Sequence, residues 1–137
     1  MNKRSLIRAY LAGICVPTAF LLAVAAGFTC LRYVYNLPLP IERVIVFPMA
    51  AVPNLWGLWN ILFVSLLAPR RISVGLFGAM LPLLLAPLGF IVSRLLQFPI
   101  PAHVLAAAPI GLPVAMVLYY LAWKYLVGSL NAELEIV

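Results

Sequence analysis

Four long apolar runs, separated by short basic or proline-bearing connections, constrain this chain more than any motif in it. They cover Leu11 to Leu31, Val44 to Leu67, Leu76 to Phe98 and Val104 to Val127. A helix needs about 20 residues to cross about 30 Å of hydrocarbon, so each run predicts one transmembrane helix. The connections, Arg32 to Arg43, Ala68 to Gly75 and Pro99 to His103, are too short to hold a further domain. The expected architecture is an all-α integral membrane protein, residues 1–137 forming one four-helix transmembrane domain.

Composition closes off the alternatives. Of the 137 residues, 66% are hydrophobic and 9% charged, whereas a soluble domain has about a quarter charged residues. A small domain buries only about two-thirds of the surface its unfolded chain exposes, so water would meet far too much hydrocarbon. A soluble enzyme and a disordered linker are excluded. The net charge of +6 is not a nucleic-acid footprint either, because the basic residues are scattered between apolar runs rather than gathered on one face. No nucleic-acid partner is expected.

Those basic residues instead set an orientation. With the N-terminus cytoplasmic, Lys3, Arg4, Arg8, Arg70, Arg71 and Lys124 fall inside, and Arg32, Arg43 and Arg94 fall outside. Six against three predicts both termini in the cytoplasm, in a bacterial-type inner or plasma membrane. Tyr119, Tyr120, Trp123 and Tyr125 around Lys124 fit an aromatic belt at the inner interface. Lys3, Arg4 and Arg8 before an apolar stretch with Ala23-Val24-Ala25 also resemble a signal peptide. The internal repeat described next argues against cleavage.

Shifted by about 62 residues, the chain matches itself at its less common residue types. Arg8 aligns with Arg70, Gly13 with Gly75, Gly27-Phe28 with Gly89-Phe90, and Arg32 with Arg94. After a one-residue gap Asn36 meets Gln97, Pro38 meets Pro99, Pro40 meets Pro101 and Pro48 meets Pro109; after a second gap Pro53 meets Pro113. This predicts two tandem two-helix hairpins, residues 8–67 and 70–127, facing the same way in the membrane.

Reactive chemistry is sparse. His103 is the single histidine, aspartate is absent, and Glu42, Glu133 and Glu135 lie outside the apolar runs. A metal site lacks ligands, and acid–base or serine chemistry lacks its partners. No glycine-rich phosphate loop occurs. We therefore expect neither an enzyme nor a cofactor. Proton coupling through an intramembrane carboxylate has no residue to use. Cys15 and Cys30 are about 22 Å apart along one helix, too far for a disulfide.

Three groups of residues are candidates for function. Arg32 and Arg94, with Arg43 nearby, fall at the outer ends of their helices. They are either lipid-anchoring ends or contacts for a phosphate or carboxylate held by forked hydrogen bonds. Asn54 and Asn60 are the polar residues at depth, either bonding across helices or forming a polar site with proline-freed carbonyls, as Pro53 would free Met49 and Pro87 would free Leu83. Cys15, Ala19, Ala23 and Gly27 in the first helix, and Ala107, Gly111 and Ala115 in the fourth, recur at four-residue spacing. Such stripes mark helix-packing seams, within the chain or onto another. The reading these features favour is a non-catalytic accessory or assembly subunit, or an oligomer-forming component, whose partners are the lipid bilayer and other membrane subunits or copies of itself. The alternative is a small channel or carrier for an anionic solute or lipid headgroup.

Overall fold

A computed structural model describes residues 3–38, 41, 48–68 and 72–136. The described residues are helical, with no strand among them. Four helices are long and apolar enough to cross a membrane: α1, Lys3–Tyr33; α2, Ala50–Leu67; α3, Val74–Leu95; and α4, Ala102–Glu133. Arg43, Arg70 and Arg71, and the expected start of the second span at Val44, lie outside the described residues.

The helix ends follow from local chemistry. α3 stops before Phe98 because Gln97 adopts a left-handed conformation, φ 55°. Gln97 N–H donates to Arg94 O at 3.2 Å and Phe98 N–H to Ser93 O at 2.8 Å, the paired bonds that satisfy a helix's last carbonyls. Pro99 and Pro101 then keep Phe98 and Ile100 out of the helical region, and α4 begins one residue later. It runs past Val127 to Glu133 and closes with the same paired bonds around Glu135, φ 52°. α1 ends beyond Tyr33 at Asn36, φ 53°, where Leu37 N–H reaches back to Leu31 O at 3.2 Å.

Among the described residues, five prolines are absorbed inside continuous helix: Pro17 in α1, Pro53 in α2, Pro87 in α3, and Pro109 and Pro113 in α4. Pro82 does more. It has no N–H to offer Gly78, and α3 tightens into a turn at Met80, where Met80 N–H bonds Phe77 O and Leu83 N–H bonds Met80 O. α2 and α4 each widen instead, into a π-helical stretch: Phe63–Leu67 and Ala122–Val127. Ala68 N–H donates to Phe63 O, and Gly128 N–H to Trp123 O, each five residues back.

The chain forms two compact units, Met1–Ile61 and Leu62–Val137. In the first, α1 buries Ala9, Ala12, Gly13, Pro17 and Leu21, with Gly13 against Trp56, Gly57 and Asn60 of α2 and Ala9 bonded to Asn60. Glycine makes this approach possible: a Cβ on Gly13 would lie 2.6 Å from Trp56 O, and one on Gly57 2.5 Å from the Tyr10 ring. In the second unit, Gly75 and Gly78 of α3 receive Tyr120 and Trp123 of α4. Trp123, Val127 and Leu81 are fully buried there, and Phe63 packs tilted against Phe77 with centroids 5.8 Å apart. Among lipid tails, which are as apolar as leucine, close van der Waals contact of this kind is what holds helices together.

Candidate functional site

Both amide side chains of α2 are engaged with α1. Asn60 is fully buried, and its Nδ2 donates to Ala9 O at 2.7 Å. Asn54 accepts from the Tyr10 hydroxyl and donates from Nδ2 to Ala50 O, one turn back in its own helix, at 2.7 Å. Asn54 and Asn60 therefore do not converge on one point. They grip neighbouring residues of α1, and an interhelical bond of this type contributes about 0.6–2 kcal/mol.

The stripe Cys15, Ala19, Ala23, Gly27 faces outward along its whole length. A Cβ on Gly27 would meet nothing within 4 Å. The inward stripe of α1 is Ala9, Gly13, Pro17, Leu21. The two are offset by two residues, about 200° around a helix of 3.6 residues per turn, so they occupy opposite faces. The seam residues Gly13, Gly57, Gly75 and Gly78 were not singled out as a set from sequence. Their signals were present in Gly75-x-x-Gly78, two glycines on one helix face, and in Gly57 framed by Trp56 and Trp59.

In α4 the stripe Ala107, Gly111, Ala115 lines an open groove between α3 and α4, with a volume of about 560 Å³. Pro82, Leu85 and Ala86 form its other wall, and His103 and Tyr119 lie at its ends. Gly111, too, has nothing within 4 Å of a Cβ.

The arginines belong to separate units. Arg32, in the first, has its guanidinium carbon 5.9 Å from the Tyr33 ring centroid. Arg94, in the second, sits 5.3 Å from that of Phe90, and lines a cavity of about 420 Å³ with Ser93, Gln97, Phe98, Pro99 and Leu105. Ser93 Oγ donates to Phe90 O at 2.8 Å. Lys124, exposed near the other end of α4, is flanked by the rings of Tyr120 and Tyr125 at 5.7 and 5.2 Å.

A guanidinium resting on an aromatic face keeps its N–H edge available for a bidentate anion. Among the described residues, His, Cys, Asp and Glu form no group able to hold a metal ion. The described residues thus define a helical chain with four helices long and apolar enough to cross a membrane, and a cavity at a helix end that carries Arg94, Ser93 and Gln97. No family model, no curated protein and no solved structure matches it.

Proposed function

We propose that this chain is a non-catalytic membrane subunit that joins a larger assembly, or copies of itself, through the outward face of α1. The observation carrying this reading is the two-sided design of that helix. Its inner face packs on α2 through Ala9 and Gly13, and its outer face repeats the same small-residue spacing at Cys15, Ala19, Ala23 and Gly27. Facing lipid, small residues forgo the contact that leucine would make. Facing a helix, they let two backbones approach closely.

The test is the mass and composition of the protein gently extracted from its membrane, with and without Ala23→Leu and Gly27→Leu. A stoichiometric complex dispersed by both substitutions supports the reading. A monomer before and after overturns it in favour of the carrier alternative, which the Arg94 cavity favours and which flux into liposomes would measure.

We further infer that the chain is built from two tandem hairpins, 8–67 and 70–127, with both termini cytoplasmic in a bacterial-type plasma membrane. Three correspondences support the duplication. Gly13 abuts Asn60 as Gly75 abuts Tyr120. The wide bond from Ala68 to Phe63 recurs from Gly128 to Trp123, at the same offset that aligns Pro53 with Pro113. Asn36 and Gln97 both take left-handed conformations after their helices, and the extra residue between Arg32 and Asn36 is accommodated by a longer closing bond. The excess of Lys and Arg on one side supports the orientation.

A further inference from the structure

We propose that the second unit holds one phosphate-bearing lipid, its headgroup in the Arg94 cavity and an acyl chain in the groove between α3 and α4. Four observations lead there. The cavity combines a cation and a primary amide, from Arg94 and Gln97, against apolar walls at Phe98 and Leu105, while the Ser93 hydroxyl beside them gives its proton to Phe90 O. A phosphate ester needs these groups: forked N–H donors for its oxygens and neutral donors for what it carries. Positive charge there meets no nearby opposition, because the unit's described acidic residues, Glu133 and Glu135, lie at the far end of α4 from the Pro99–Pro101 connection.

The groove is apolar, the cavity carries polar groups among apolar walls, and the two follow one another along α3. Pro82 and Ala86 line the groove; Phe90, Ser93 and Gln97 line the cavity. Spacings of four, four and three residues place Pro82, Ala86, Phe90 and Ser93 on one face of α3, and Gln97 lies two residues past its end. His103, in the first turn of α4, borders the groove at the cavity end.

Length commits the site to a lipid rather than to free phosphate. Pro82 to Leu95 spans about 20 Å of helix, and Gln97 lies just beyond its end. Half of a bilayer measured with its headgroups is about 20–22 Å. A single monolayer lipid therefore fits the combined site end to end. The methyl of Ala107 and the bare Cα of Gly111, with nothing within 4 Å of a Cβ built there, leave width for its chain.

The experiment is native mass spectrometry of the full chain in detergent, titrated with phosphatidylglycerol, with diacylglycerol of the same chains, and with inorganic phosphate. One phosphatidylglycerol per chain should be retained under conditions that strip diacylglycerol. Arg94→Gln should weaken retention roughly tenfold, as expected for losing a charge-assisted bidentate contact. Arg94→Lys, which keeps the charge without the fork, should fall between. Gly111→Leu fills the groove and should weaken phosphatidylglycerol retention without changing helicity by circular dichroism. Equal retention of diacylglycerol, stoichiometric uptake of inorganic phosphate alone, or unaltered lipid retention in both Arg94→Gln and Gly111→Leu would each overturn the proposal. The outward α1 face takes no part, so Gly27→Leu should leave lipid retention intact even where it disperses an assembly.

Discussion

A Cβ built on Gly78 would stand 2.0 Å from Cγ of Trp123, so the indole of α4 occupies the space that any other residue of α3 would need. Trp123 is fully buried in consequence. Two of its side-chain atoms besides Cγ would also lie within 2.5 Å, and no small rotation relieves all three. Gly78→Ala should therefore separate α3 from α4 and lower stability by about 1–3 kcal/mol, the usual cost of overpacking. Gly111→Ala, with open space at its Cβ, should be neutral or stabilise by up to about 1 kcal/mol, since alanine is the better helix former. Thermal unfolding in detergent compares the two. Equal effects would mean that the seam is not where stability resides.

Asn60→Ala removes the donor to Ala9 O across a fully buried interface, and the carbonyl loses that bond. We expect a loss of about 1 kcal/mol, within the range measured for interhelical bonds in membranes. Tyr10→Phe, which removes only the donor to the exposed Asn54, should cost less. Unfolding in mixed micelles with increasing denaturing detergent resolves the order, and a larger effect for Tyr10→Phe would contradict it.

Gln97 pays for its left-handed conformation with a steric penalty of about 1–2 kcal/mol that glycine escapes. Gln97→Gly should raise the unfolding midpoint, provided the protein is stripped of lipid so that the amide has no ligand to hold. Asn36→Gly should gain less, because asparagine tolerates this region better. A fall in the midpoint for Gln97→Gly would show that its side chain contributes more to the fold than its backbone costs.

Topology is testable with a membrane-impermeant thiol reagent. In a Cys15→Ala, Cys30→Ala background, Ile100→Cys should label in intact cells and Glu135→Cys only after lysis. The reverse pattern would invert the proposed orientation, and labelling of both would break the four-span topology.

Much of this was legible in one dimension. Four apolar runs longer than a bilayer is thick could only become four helices, and proline pairs marked where one helix yields to the next. The ends were less legible. α3 stops at Leu95 rather than Phe98 because a left-handed Gln97 closes it. α4 continues to Glu133 because nothing from Gly128 to Ala132 breaks a helix strongly enough to stop it.

Residue chemistry and hydropathy, being local, determined that the chain is helical, where it is apolar and which charges cap its spans. Which face of each helix turns inward was decided only by the tertiary structure. In α1 two small-residue stripes run two positions apart, and periodicity alone ranks them equally. Ala9 and Gly13 take the interior because Trp56, Gly57 and Asn60 of α2 offer a complementary surface and a hydrogen bond to Ala9, and Pro17 and Leu21 are buried on the same face. Cys15, Ala19, Ala23 and Gly27 are left outside. The same holds for the Arg94 cavity, whose wall at Leu105 comes from a helix beyond the Pro99–Pro101 turn. Close packing depends on the shape of a partner surface, and that shape exists only once both helices are in place.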